Sequence, residues 1–513
     1  MPTLNWIGKE AVVNHDKEVP FKLLKKIKSS SVGDNSQNLI IHGDNLEALK
    51  ALMPYYVGKI KCVYIDPPYN TGNDEWVYND KVNSPKIKKW LKKVVNRDDL
   101  CKHDKWLCMM YPRLKLLKDL LDDNGVIFIS IDSHEDSHLK ILCHEIFGYK
   151  NIETYVWNLS DFTESSFTKT ASNTVRFEHE YIIACYKNEN KKLSRYKEYR
   201  FIDRDDFGNP DNDPRGDWMS GNISRNGIKT KTGSKYFKIT TPTGKEYSRN
   251  WTVSKEEFNN LLKDNRIYFS RNGDGVPRLK IFKSEPSFSI QSSIFTGVKT
   301  SITGKNQVKE LFDGQEVFDF PKPTNLIKRL IEISTNENDI ILDSFAGSGT
   351  TGHAVLDLNK DNGGDRKFIL VEMEDKVAKD ITAKRISQAI KKHKYKNDFE
   401  YCELTKPLFD EDGQIEKECD FNQFAIYIYF TETQTNIDKS KIDKNFIGEH
   451  NEIKYYLIYK EKNNNFLNKT FLRKMKKDGK KKVVYADKCM IDNDLLAEYN
   501  IEFKQIPYEV KVY

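Results

Sequence analysis

Ile340-Ile341-Leu342-Asp343-Ser344-Phe345-Ala346-Gly347-Ser348-Gly349-Thr350-Thr351 is the stretch that decides the fold. A short apolar strand ends in an aspartate, small residues follow that let backbone approach a ligand closely, and a helix is expected to begin near Thr350. Gly347, Gly349 and Gly352 satisfy G-x-G-x-x-G, and Glu372 closes the next apolar run, Phe368-Ile369-Leu370-Val371. That spacing suits a dinucleotide such as NAD as well as S-adenosylmethionine (SAM). A Walker phosphate loop is excluded, because no lysine follows the glycines as G-x-x-x-x-G-K-[ST] requires.

Working outward, apolar strands alternate with helical patterns from about 39 to 187. Lys61 to Ile65, a helical stretch over Trp106–Leu121, the run Gly125–Ile131 and a helix ending near Phe147 have the rhythm of a doubly wound α/β sheet. The rhythm breaks near 190 and resumes at about 320, through the amphipathic stretch Asn325–Ser334, to 394. The two stretches are therefore expected to complete one sheet. The chain divides into an N-terminal arm (1–38), a first half-domain (39–189), an insertion (190–318), a second half-domain (319–399) and a small α+β C-terminal domain (400–513).

The other informative motif is Asp66-Pro67-Pro68-Tyr69, at the end of Val63-Tyr64-Ile65. It suits an amino group whose lone pair is delocalised into a ring, as at adenine N6. Such a nitrogen is a poor nucleophile, and a carboxylate can accept one of its N–H groups. Two successive prolines restrict the backbone and so preorganise the acceptor. Tyr69 offers a face for a base extruded from the stack. Read together, the Asp66 motif and the later Phe345-x-Gly347-x-Gly349 motif resemble the DNA amino-methyltransferases in which the catalytic motif precedes the SAM motif. NAD gives no reason for Asp66 to Tyr69. Asn70-Thr71-Gly72 extends the resemblance toward adenine-N6 enzymes, since cytosine-N4 enzymes more often carry serine in place of Asp66.

The resemblance implies a SAM-dependent methyltransferase fold with an inserted target-recognition domain, and it distributes roles. The catalytic set is Asp66, the Pro67 carbonyl as second acceptor, Pro68 and Tyr69. The cofactor set is Asp343, Phe345 beside SAM, Gly347, Gly349, Thr350 and Glu372 on the ribose hydroxyls. Asp44, after Leu39-Ile40-Ile41-His42-Gly43, either caps a helix or accepts from the SAM adenine amine. Lys322, in Phe320-Pro321-Lys322-Pro323-Thr324, is expected with a helix start at the methionine carboxylate. No metal is required.

Leu4-Asn5-Trp6-Ile7-Gly8-Lys9, Trp76–Asp80 and His103–Leu114 resemble the modification (Mod) subunits of type III restriction-modification systems and stand-alone relatives. That implies double-stranded DNA as substrate, a homodimer, and a helicase-nuclease restriction subunit as partner. In the insertion, Arg200, Arg204, Arg215, Arg225, Lys229, Lys231 and Lys235 are candidates for phosphate or guanine contact, with Trp218, Tyr236 and Trp251 packing or stacking. From about 400, Phe424–Phe430, Lys454–Tyr459, Val483–Tyr485 and Glu502–Tyr513 read as strands. The lysines around Asp478-Gly479 read as a solvated hairpin tip in preference to a nucleic-acid patch.

His134-Glu135-Asp136-Ser137-His138 matches the zinc-protease pattern H-E-x-x-H. It opens a helix whose Leu139, Leu142, Cys143 and Ile146 face a core, and no third ligand is evident, so a zinc site is not expected. The 513 residues, 38% hydrophobic, suffice for two or three domains, and a net charge of +7 is mild for a nucleic-acid binder. Eight cysteines without paired spacing are read as reduced thiols in a cytoplasm, with no membrane segment. The competing readings are a cytosine-N4 methyltransferase and a catalytically silent DNA-recognition subunit.

Overall fold

The computed structural model describes residues 3–506 apart from 35, 71–101, 160–176, 190–192, 195, 199–206, 226–232, 271, 286, 296–297, 410–414 and 461–464. Thr71, Gly72, Trp76–Asp80, Arg200, Arg204, Lys229 and Lys231 lie outside the described residues. The chain forms two compact units, residues 195–290 and all the remainder.

The larger unit is organised by a ten-stranded sheet. In chain order its strands are β1 (Lys22–Lys26), β2 (Leu39–His42), β3 (Ile60–Ile65), β4 (Leu121–Ile131), β5 (Ile152–Asn158), β6 (His179–Tyr186), β7 (Ile294–Phe295), β8 (Ile340–Asp343), β9 (Lys367–Glu372) and β10 (Glu400–Pro407). Their spatial order is β1-β10-β2-β9-β8-β3-β4-β6-β5-β7. From β10 to β4 every neighbour is parallel. The middle strands read as nearly continuous apolar runs because helices cover both faces.

The helices framing the site are α1 (Asn45–Tyr56), α2 (Lys102–Leu120), α3 (Asp136–Phe147), α4 (Ser301–Leu311), α5 (Thr324–Ser334) and α6 (Thr350–Asn362). The expected doubly wound rhythm is present, with the two stretches in one sheet. One face of the sheet packs Val63, Ile65, Leu342, Ile369 and Val371 in a core with Leu49, Leu52, Leu114, Leu117, Leu139 and Leu142. On the other, α6 lies so close to the sheet that a Cβ on Gly352 would meet Leu370 at 2.9 Å.

Adjacent β3 and β8 form the switch point. The chain leaves β3 toward β4 on one side and leaves β8 toward β9 on the other. Their register pairs Leu342 with Val63, so Asp343 and Asp66 emerge at the same carboxyl edge. A crevice at that edge is where open parallel sheets take ligands.

Two readings of the C-terminal region are corrected. Phe421–Thr433 is an α-helix, not a strand, started by a capping box between Asp420 and Gln423. Phe424–Tyr429 are all buried, and a helix covered on every side has no polar face to reveal its period. Beside it lies a four-stranded sheet of Phe446–His450, Ile453–Leu457, Lys482–Ala486 and Ile501–Gln505. There is no hairpin at Asp478-Gly479, because Ile453–Leu457 and Lys482–Ala486 run parallel. Asp478 instead accepts from buried Lys482 at 2.8 Å and from Lys454. Lys477, Lys480 and Lys481 are paired with Glu498, Glu449 and Glu502.

The 195–290 unit is narrower than the 190–318 interval, and α4 belongs to the larger unit. It is built of short antiparallel ribbons around Ile223, Ile239, Trp251, Phe258 and Ile267. Trp251 is fully buried and donates to the Phe237 carbonyl, and Trp218 donates to Asp211. Arg215 is held by Asp213 and lies 4.5 Å over the Phe282 ring. All three are engaged within the unit, whereas Arg225 is exposed. Among the described residues, no helix is long and apolar enough to cross a membrane.

Candidate active site

The crevice at the β3/β8 edge contains a cavity of about 310 Å³, near the lower end of the roughly 300–1,000 Å³ usual for small-molecule sites. Its lining includes Asp66, Pro68, Lys322, Asp343, Phe345, Gly347, Thr350 and Glu372. The structure thus brings together most of the residues singled out in the sequence. Pro67, Tyr69 and Gly349 flank lining residues, and Asp44 is not part of the wall. The Asp44 carboxylate caps α1, accepting from the amides of Leu46 and Glu47 at 2.9 and 3.1 Å, with Arg113 at 3.4 Å.

The glycine loop is shaped by two carboxylates. Asp343 accepts from the Phe345 amide at 3.0 Å and from the Thr351 hydroxyl. Glu372 accepts from the Gly347 amide at 2.8 Å through one oxygen, and from the Met373 and Glu374 amides through the other. Burial pushes the Asp343 carboxyl up to about 7, against the opposing pull of Thr351 and the Phe345 amide. Burial also raises Glu372, again opposed by its amide donors. Gly347 and Gly349 have φ of 49° and 78°, in the left-handed region that side chains disfavour. A Cβ on Gly347 would also meet the Phe318 ring at 3.0 Å.

The proline loop carries a tighter charge cluster. Lys322 Nζ donates to both oxygens of Asp66, at 3.0 and 2.8 Å, and to the Tyr69 hydroxyl at 2.9 Å. The Tyr69 hydroxyl lies 2.8 Å from Asp66 and 3.1 Å from Glu180. Burial alone would lower the Lys322 pKa, but the charges of Asp66 and Glu180 outweigh it and hold the ammonium above the ordinary lysine value. Burial raises Glu180, against the pull of Lys322. Lys322, expected at a cofactor carboxylate, is thus paired with Asp66 of the proline loop. The segment is fastened to the glycine loop, because the Thr350 hydroxyl donates to the Lys322 carbonyl at 3.2 Å.

Glu180 and Tyr64 were missed in the sequence. Tyr64 lines the cavity and shares a hydrogen bond with Ser130. Glu180 lies in Glu178-His179-Glu180 at the start of β6, where charge reads as a solvated strand end. Phe318 and the 80% exposed Phe320 also line the cavity, and an aromatic beside a proline was the available signal for the latter. The H-E-x-x-H motif is not a two-histidine face, because the helix begins only at Asp136. His134 is hydrogen-bonded to Asp132, whereas Glu135 meets His138 and His103.

The two loops place the glycine-rich backbone and the Asp66 carboxylate on one cavity. On a doubly wound sheet this is the arrangement of an α/β methyltransferase that acts on an amino nitrogen. The chain belongs to the DNA methylase family of N6 and N4 methyltransferases, whose model matches residues 60–384. Methyltransferases of this family use SAM. It is 34% identical over 367 residues to the type III restriction-modification enzyme StyLTI Mod subunit of Salmonella typhimurium, covering 68% of this chain and 54% of that protein. With the EcoPI Mod subunit of Escherichia phage P1 it shares 31% identity over 452 residues, covering 76% and 68%. With the type II methyltransferase M.KpnI of Klebsiella pneumoniae it shares 30% over 384 residues, covering 69% and 85%. The chain therefore spans about half of the first relative and more than two thirds of the other two.

Proposed function

We propose that this chain is a site-specific DNA methyltransferase that methylates adenine N6 of a flipped base, as the modification component of a type III restriction-modification system or a stand-alone relative. The observation that carries this reading is that Asp66 and Gly347, far apart in the chain, line one cavity. A cofactor fits the glycine side, where Phe345, Gly347 and Glu372 line the cavity and the Glu372 oxygen that accepts only the Gly347 amide can take a ribose hydroxyl. Bound SAM supplies an electrophilic methyl on a sulfonium.

The chain's own residues do the rest. Asp66 accepts one N–H of the base amine and the Pro67 carbonyl the other, while Tyr69 stacks on the ring. Entry of the amine requires Lys322 to release Asp66. Glu180, 3.5 Å from the same ammonium, is the carboxylate that retains it. No covalent enzyme intermediate is needed, and the surplus proton leaves to solvent. We assign target recognition to the 190–318 interval, whose compact part is 195–290, and expect double-stranded DNA as substrate, a homodimer and a helicase-nuclease subunit as partner.

The test is single-molecule sequencing of genomic DNA from a methylation-free host expressing the wild-type chain or Asp66→Ala. Wild-type-only N6-methyladenine in one motif is the expected result, with marking of one strand for the type III reading. N4-methylcytosine would overturn the base assignment, and unmodified DNA would favour a silent recognition subunit.

A further inference from the structure

We propose that Glu135 is a positioning residue for the catalytic loop, holding Asn70, and through it Asp66-Pro67-Pro68-Tyr69, in a clamp completed by His103 and His138. The inference rests on the methyltransferase reading for its kinetic consequence, but the clamp itself is read from geometry. Glu135 is fully buried, at 0% exposure. One of its oxygens accepts from the Asn70 side-chain amide and from His103 Nδ1 at 2.7 Å, and the other from His138 Nδ1 at 2.9 Å. An ionised carboxylate can only accept, so both imidazoles present Nδ1–H.

Among the described residues, the ion-pair partners of Glu135 are these two histidines and no lysine or arginine. A buried carboxylate of that kind depends on its three donors, and losing one leaves a costly unpaired group. The donors come from three places: His103 from the first turn of α2, His138 from the first turn of α3, and Asn70 from the loop itself. Asn70 directly follows Tyr69, is 3% exposed, and has φ of 60°, a conformation asparagine adopts more readily than most residues. Trp106, one turn beyond His103 on α2, donates its indole N–H to the Pro68 carbonyl at 2.7 Å. One helix therefore grips the loop twice, at Pro68 directly and at Asn70 through Glu135.

Prolines stiffen the loop internally but do not orient it against the cavity. That orientation is what the clamp supplies, and catalytic rates are sensitive to it at the ångström scale. His138 and His103 match metal-ligand chemistry, their ligand atoms and those of Glu135 lying within 4.8 Å of one another. The direct hydrogen-bond distances assign them to the clamp.

The full-length chain tests this with Glu135→Gln, Asn70→Gly, His103→Asn and His103→Leu. Single-turnover methylation at saturating SAM should slow about 10- to 100-fold in Glu135→Gln and Asn70→Gly. SAM and DNA dissociation constants should stay within about twofold, since the loss is confined to the transition state. His103→Asn, which keeps an N–H near the Nδ1 position, should stay nearer wild type than His103→Leu. The Trp106 indole N–H resonance, assigned by its loss in Trp106→Phe, should shift in Glu135→Gln. An unchanged single-turnover rate, or a rate loss matched by equal losses of SAM affinity and melting temperature, would overturn the proposal. So would a stoichiometric divalent metal in the purified protein. If the wild-type chain transfers no methyl group, the function reading fails, and the Trp106 resonance still decides the clamp, an unshifted signal overturning it.

Discussion

The loops after β3 and β8 face each other across one cavity and reach rigidity by opposite routes. The first is stiff in itself, because Pro67 and Pro68 restrict their own φ and the residues before them. It needs only outside anchors, which α2 and Glu135 provide. The second contains Gly347 and Gly349 and is intrinsically the least restricted backbone in the site. It is held from within by the strand-end carboxylates of Asp343 and Glu372. Stiffness is thus distributed differently: the loop carrying Asp66 is rigid through its prolines, and the loop carrying Gly347 and Gly349 through the carboxylates that bind its amides.

One substitution in each loop separates the two. Asp66→Ala should reduce methyl transfer by at least about a thousandfold in single-turnover assays while leaving SAM affinity nearly unchanged. Gly347→Val, forced into a left-handed φ and against Phe318, should weaken SAM binding by roughly a hundredfold or more, read by calorimetry. Equal loss of SAM binding in both variants would erase the distinction.

The internal fastening of the glycine loop has a pH signature. Asp343 has its folded pKa raised to about 7 from 3.8. The folded state therefore holds the proton more tightly, and stability is lost as pH rises from about 4 to about 7. Asp343→Asn should remove that part of the slope, on the order of 1–3 kcal/mol across the window, measured by urea denaturation of the ligand-free chain. A slope identical to wild type would contradict the assignment.

A smaller effect probes the strap between the loops. A Cβ at Gly304 in α4 would meet the Pro321 carbonyl and the Lys322 backbone within 3 Å. Gly304→Ala should cost about 1–3 kcal/mol of stability and slow methylation roughly tenfold by displacing Lys322. Smallest of all, Lys477→Ala with Lys480→Ala should change DNA affinity by less than about twofold, since both lysines are spent on exposed ion pairs. A strong loss of binding would restore the basic-patch reading of that segment.

What could be read in advance divides along physical lines. β3, β8 and β9 were legible because each is a short apolar run ended by Asp66, Asp343 or Glu372, and the turn chemistry of proline and glycine is written in the chain. Lys322 was expected at the methionine carboxylate, whereas its partner here is Asp66, because a lysine's reach spans several candidate carboxylates. Phe424–Tyr429 misled because burial on every side erased the polar face that would reveal a helix. Trp251, open to packing or stacking in the sequence, packs and donates to the Phe237 carbonyl, and Arg215, a candidate for phosphate or guanine contact, is paired with Asp213.

The chain alone set the stiffness of the proline loop, the openness of the glycine loop, the class of sheet and the kinds of chemistry each loop offers, since these depend on residue types within short segments. Only the tertiary structure decided that Asp66 is engaged by Lys322 and Tyr69, that Glu180 shares their charge, and that Glu135 belongs with His103 and Asn70 and not with His134. Apart from Asp66 with Tyr69, those pairings join residues remote in the chain. They are selected by which polar groups the packed helices bury together, a choice that no local pattern records.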